Sequence, residues 1–271
     1  MPRKRASQEQ IIYALRQVEA GAKIGDVCRQ LGVAEQTYFR WEKQYAGLGV
    51  SELRRLKQSA FQWSCHTLER PGAELQHGEW INLEPKLPNV EFARTLREAI
   101  GYEGTVFTWS HHEETTLKDI ARQMIEYRMG NQETLSWLQG LVQSGQIFDL
   151  CKHAQSHYFH PKIKGSNSIK AVLPAVWDYN PALRTHPWFA SYAKEESGRV
   201  LSPYETLPEL EIYDQAEVVV EGTGAMYAYQ EMVFGSGRRD LAVKSSWCSL
   251  LGQYCKLGTL AMVIIWRHWS A

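Results

Sequence analysis

Three groups of side chains in this sequence have types and spacings that could do chemistry. His111-His112-Glu113-Glu114 sets two imidazoles beside two carboxylates, as an acid/base or metal cluster would need. Adjacent residues on a helix point in different directions, so the four cannot all share one ion. An acidic helix N-terminus, where the macrodipole favours carboxylates, is the preferred account. Cys151, His153, His157 and His160 have a spacing compatible with zinc, with His153 and His157 one helical turn apart. No finger-like frame surrounds them, and His160-Pro161 reads as the start of a loop. Lys162, Lys164 and Lys170 flank Gly165-Ser166-Asn167-Ser168 and could cradle a phosphate, but the glycine spacing of a phosphate-binding loop is absent. No metal ligand set is assigned from these groups.

A fourth constellation is suited to nucleic acid. Residues 1–57 hold eleven Lys/Arg against six Asp/Glu, although the 271-residue chain is neutral overall, so its basic character is local. Ser7 and Gln10 form a capping-box pattern, and Ile11, Ile12, Leu15 and Val18 follow a helical period that Gly21 closes. A second helix over Lys23 to Leu31 turns inward Ile24, Val27, Cys28 and Leu31. Leu31-Gly32-Val33 then makes a tight turn with Gly32 at positive φ, and a third helix runs from about Ala34 to Tyr45. This order places the last helix in a major groove. Glu35, Gln36, Thr37 and Arg40 are the candidate base readers, while Lys43 and the Arg3-Lys4-Arg5 arm suit phosphates. Tyr38, Phe39 and Trp41 are expected to be partly core aromatics.

QEQII, the run VEAGAKIGDVCRQLGV, the TYFRW core and the exit YAGLGVSELRRLK together resemble the small first-frame protein of insertion-element transposases of the IS-three type, over about fifty residues. The resemblance implies a DNA-binding helix-turn-helix over 1–57, double-stranded DNA as partner and a separate integrase-type transposase subunit. Ala34 stands where such proteins usually have a capping Ser, a difference worth about 1 kcal/mol at a typical N-cap. The family continues into a leucine zipper. Here Leu53 and Leu56 begin a heptad pattern that breaks off after Gln58, which argues against zipper dimerisation.

From Ser59 the texture becomes mixed. Phe61 to Leu68 and Trp80 to Leu83 read as a hairpin around the turn signal Pro71-Gly72. Val90 to Ile100 reads as a helix, Thr105 to Trp109 as a buried strand, and Glu113 to Tyr127 as a helix with Leu117, Ile120 and Met124 inward. The alternation predicts an α/β layer fold. An acidic surface excursion is expected between Glu195 and Glu221, then helices over about Gly224 to Phe234 and Ser249 to Trp266.

FQWSCH, VFTWSHHEETTL, YFHPKIKGSNSIKAVLPAV and QYCKLGTLAMV resemble a bacterial domain of unknown function related to RNase H-like DEDD exonucleases, over about residues 60 to 268. Such enzymes hold two divalent metals with four carboxylates. Glu113 and Asp149 match two acidic positions and are the vestigial catalytic candidates. The first strand with its acidic motif is missing, and Gly258 stands where the family has a late Asp. The expectation is therefore α+β overall: an all-α helix-turn-helix module (1–57) followed by an incomplete α/β RNase H-like domain (60–271), catalytically inactive by itself. No cofactor is expected, and Mg²⁺ only if the second domain retains nuclease activity. The alternatives are a degenerate metal-dependent exonuclease and a non-functional fusion product of an insertion event.

Five cysteines, an odd count without a C-x-x-C pair, fit a reducing cytoplasm rather than a disulfide framework. The longest uninterrupted apolar run, Leu260 to Trp266, is far short of the ~20 residues that cross a bilayer, so no membrane role is expected.

Overall fold

The computed structural model describes residues 8–19, 21–45, 60–208, 210–212, 215–217, 222–234 and 240–270. Three short helices come first: α1 (Gln8–Glu19), α2 (Ile24–Leu31) and α3 (Glu35–Tyr45). They close on a small core of Ala14, Leu15, Val27, Cys28, Tyr38 and Trp41. Two glycines make the corners. Gly21 (φ +98°) donates to Val18 O at 2.9 Å after α1, and Gly32 (φ +66°) ends α2, where Val33 N donates to Cys28 O at 3.0 Å. Both sit in the left-handed region, which costs a residue bearing a Cβ about 1–2 kcal/mol. Ser7, the proposed cap of α1, and Leu53, Leu56 and Gln58, the start and limit of the heptad pattern, lie outside the described residues.

The larger part begins with an antiparallel hairpin, β1 (Gln62–Thr67) and β2 (Gln76–Ile81), in which Trp63 faces Trp80. The second strand starts earlier than the sequence suggests, because the ladder must match all six residues of β1. Next come α4 (Asn89–Ile100), β3 (Val106–Thr108), α5 (His112–Glu126), α6 (Gln132–Gln143), β4 (Ile147–Asp149) and α7 (Leu150–His157). β3 and β4 pair in parallel, with α5 and α6 forming the crossover. Then follow α8 (Ile169–Tyr179), α9 (Pro181–Thr185), two minimal hairpins, β5 (Glu195–Glu196) with β6 (Arg199–Val200) and β7 (Leu210–Ile212) with β8 (Gln215–Glu217), and finally α10 (Gly222–Phe234) and α11 (Leu241–Trp269).

The expected α/β layers are not seen among the described residues. Among the described residues the strands make four separate two-stranded sheets, and burial comes chiefly from helix packing. The fold is mixed α+β with small sheets. The segment expected as a buried strand, Thr105 to Trp109, is correspondingly only three residues of β3, with Phe107 38% exposed.

α11 is the spine of this part. Its first half packs Trp247, Leu250 and Leu251 against Tyr229 and Met232 of α10. Its second half packs Leu260, Ala261, Ile264 and Ile265 against Val172, Leu173, Val176 and Trp177 of α8. A third core joins the hairpin to α4, α5 and α6 through Trp63, Phe92, Leu117, Ile120, Met124, Trp137 and Leu138. At 29 residues α11 is long and apolar enough, by length and composition, to cross a bilayer. Its buried leucines and isoleucines pack into the two cores just described, and 39% of its most apolar window is buried. It starts eight residues before the expected Ser249 because Asp240 caps it, its carboxylate accepting from Ala242 N (2.9 Å) and Val243 N (3.2 Å).

Candidate nucleic-acid interface and acidic pair

α3 follows α2 after the Gly32 corner and rests on it through Tyr38 and Trp41, which are buried (1% and 6% exposed). With no Ser at position 34, the helix opens on backbone bonds: Ala34 O accepts from Thr37 N (2.8 Å) and Tyr38 N (3.3 Å). Glu35 in the first turn adds a favourable charge to the dipole. Glu35 also reaches over α2, where a Cβ on Gly25 would lie 2.9 Å from its Oε1. Glu35 and Gln36 are exposed and Thr37 is half-buried.

Phe39 corrects the expectation. It is 49% exposed, and its ring meets Tyr38 edge-on at 5.9 Å rather than joining the core. Of the remaining predicted contacts, Arg40 and Lys43 lie on α3 with side chains outside the described set, and Arg3, Lys4 and Arg5 are outside the described residues altogether.

The acidic pair sits at the carboxyl ends of the two parallel strands. Asp149 ends β4 and caps α7, its Oδ1 accepting from Cys151 N (2.9 Å), Lys152 N (3.2 Å) and Ser110 N (3.1 Å). Ser110 takes φ +103° to offer that bond, so the turn after β3 is shaped around this carboxylate. Lys152 Nζ lies 4.0 Å from Oδ2. Glu113 begins α5. The residue is exposed at the surface, and desolvation followed by the Asp149 charge pushes its pKa up to about 7. Burial, then the charges of Asp149 and Glu113, also push the Cys151 thiol up. Glu114 turns away to Lys118 (2.5 Å), and His111 and His112 are exposed.

Two carboxylates, one already accepting three N–H bonds, do not supply what a pair of hard divalent cations needs. Gly258 contributes no oxygen, and nothing lies within 4 Å of where its Cβ would be. Among the described residues no group of three or more His, Cys, Asp or Glu is placed to hold a metal ion. The other sequence clusters disperse. His153 and His157 rings are 4.7 Å apart, but Cys151 Sγ is directed at Asn167 O (3.5 Å) and His160 Nδ1 accepts from Lys162 N (3.2 Å). The three lysines do not converge on a phosphate: Lys162 pairs with Asp178, Lys170 stands 6.0 Å over the Tyr254 ring, and Lys164 occupies a left-handed corner (φ +49°). The Ser166–Ser168 loop is held instead by Trp109 Nε1, which donates to Asn167 O at 3.0 Å. The sequence offered no signal for that pairing, 58 residues apart.

Comparison with known proteins divides the chain in the same region. Residues 1–64 match a family described as transposase, and residues 49–168 match a domain of unknown function, DUF2779. Over 57 residues the chain is 49% identical to an insertion element ISR1 uncharacterized 10 kDa protein from Rhizobium sp, covering 21% of this chain and 65% of that protein. It is 38% identical over 55 residues to an insertion element IS407 uncharacterized 10.0 kDa protein of Burkholderia multivorans, covering 20% and 63%. A third relative is the low calcium response locus protein S of Yersinia pestis, 36% identical over 58 residues, covering 21% and 66%. The chain thus spans about 65% of the length of these curated relatives. No solved structure matches.

Proposed function

We propose that this chain binds duplex DNA through α3, as a DNA-binding protein of transposase origin associated with DNA transposition and without catalytic activity of its own. The observation that carries this reading is the corner at Gly32, which sets α3 on an aromatic core with Glu35 and Gln36 exposed at its start. The insertion-element relatives support it. Glu35, Gln36, Thr37 and Arg40 read bases, while Lys43 and the Arg3-Lys4-Arg5 arm neutralise phosphates. Strand transfer would come from an integrase-type subunit acting with this chain in the cytoplasm. Electrophoretic shift on an element's terminal repeat tests the reading. Affinity should fall at least about tenfold between 50 and 200 mM salt, and Arg3→Ala or Arg40→Ala should weaken it further. Absence of any shift at low salt would sink the proposal.

Residues 60–271 we read as a remnant of an RNase H-like domain. Asp149 ends β4 and Glu113 stands in the first turn of α5, the helix after β3, with Gly258 in place of a third acid. The full chain with labelled single-stranded DNA or RNA and Mg²⁺ should show no turnover. Metal-dependent degradation would favour the exonuclease reading instead.

A further inference from the structure

α3 has two sharply different faces. Successive residues turn by about 100° around a helix, which groups Tyr38 and Trp41 toward the core and puts Glu35, Gln36 and Phe39 together on the other side. Phe39 falls between Glu35 and Gln36 in angle, one turn further along. The first two are polar and exposed; the third is an aromatic ring half in water, touching Tyr38 only by an edge. Glu35 leans over α2, its Oε1 2.9 Å from where a Cβ on Gly25 would lie.

On a helix that enters a major groove, this ring meets a surface with one kind of apolar group, the C5 methyl of thymine. Apart from the small C5–H of cytosine, the other features of the base edges there are hydrogen-bond donors and acceptors. We infer that Phe39 is a specificity-determining residue that reads thymine by burying its 5-methyl group against the ring, while Gln36 and its polar neighbours read adjacent base edges. The inference rests on the DNA-binding reading above and gives it a base preference.

The test uses the full chain and a duplex it selects from a randomised library of about 20 base pairs, roughly two turns of duplex, resynthesised with uracil in place of every thymine. Uracil pairs as thymine does and lacks only the methyl group. Binding by the unaltered chain should weaken about fourfold for each methyl group buried, from the free energy of burying one such group. Phe39→Ala should bind the thymine duplex with the weakness the parent shows for uracil, and should not distinguish the two duplexes. Phe39→Leu, which keeps an apolar tip, should retain part of the distinction. Unchanged helical circular dichroism would show that the variants fold. Equal binding of thymine and uracil duplexes by the parent, or an undiminished difference in Phe39→Ala, would overturn the inference while leaving DNA binding intact. A shift in oligomeric state on Phe39→Ala, with both duplexes bound alike by the parent, would overturn it in favour of a contact between copies. Failure to select any duplex would overturn the DNA-binding reading and this inference with it.

Discussion

Asn89 donates from Nδ2 to Gln123 Oε1 at 2.7 Å, and both side chains are buried (0% and 3% exposed). The other end of the same carboxamide accepts from Ala60 N at 3.0 Å, so one side chain ties the entry of the larger part to α4 and α5. Replacing a partner in a buried pair costs more than the bond is worth, because the remaining group stays desolvated. Asn89→Leu should destabilise the protein by about 1–3 kcal/mol, read as a lower urea midpoint at unchanged slope. A double-mutant cycle with Gln123→Leu should give a coupling energy of about 0.5–3 kcal/mol; additive losses would show that the two residues act separately.

Two glycines of the N-terminal module, Gly32 and Gly25, should respond differently to the same substitution. Gly32→Ala forces a Cβ into the left-handed region at φ +66°, with open space around it, so its cost is conformational, about 1–2 kcal/mol. Gly25→Ala meets only Glu35 Oε1, the far end of a flexible side chain, which can swing aside. Its cost should be within about 0.5 kcal/mol, as for substitutions that disturb no core feature. Thermal unfolding followed by circular dichroism separates the two cases, and equal losses would contradict the assignment.

How far the sequence foretold this structure depends on the range of the interaction. The helix periods and the Gly21 and Gly32 corners are local and were readable, as was the inward set Leu117, Ile120 and Met124 of α5. Gln123, beside Met124, is also buried, and no local pattern announces that, because its partner Asn89 lies 34 residues away. Phe39 misled for a different reason: composition marks an aromatic as core, while its phase relative to Tyr38 and Trp41 turns it outward. α11 begins at Leu241 behind its Asp240 cap, eight residues before the helix read from the sequence at Ser249. The sheets were the least legible, since strand pairing is non-local and β3 and β4 are only three residues each. At the acidic pair, the sequence supplied both residues but not the capping role that engages Asp149.

Two titratable groups should give the stability profile opposing limbs. The Glu113 carboxyl is raised from an ordinary 4.5 to about 7 by burial and then by Asp149. The folded state therefore binds its proton more tightly, and its contribution is full below 4.5 and lost as pH rises toward 7. His66 is lowered from 6.5 to about 4 by burial, then by the charges of His77 and Lys256. Its contribution is full above 6.5 and is lost as pH falls toward 4. Between 4.5 and 6.5 the two trends oppose each other. Glu113→Gln should raise the melting temperature at about pH 8 by a few degrees and expose the acid limb. His66→Gln, which keeps a donor for Thr259, should flatten that limb instead. Superimposable melting profiles over about pH 5 to 8 for all three proteins would contradict both assignments.

Gly258→Asp tests whether a single lost carboxylate separates this chain from a nuclease. Sterically the change is easy, since a Cβ at this position would meet no atom within 4 Å and the site is on the half-buried side of α11. The fold should therefore tolerate it, with a penalty no larger than a surface helix substitution and some gain from removing a helical glycine, about 0.5–1 kcal/mol. Activity should still be absent. Even with a carboxylate restored at position 258, the Glu113 carboxyl is raised to about 7 by burial and then by Asp149, and Asp149 spends one oxygen on three backbone N–H groups. Isothermal titration with Mg²⁺ or Mn²⁺ should detect no site tighter than about millimolar, as expected when few carboxylates offer oxygens to a hard cation. Degradation of labelled single strands by Gly258→Asp, abolished by chelation, would show instead that the remaining acids suffice once the third is restored.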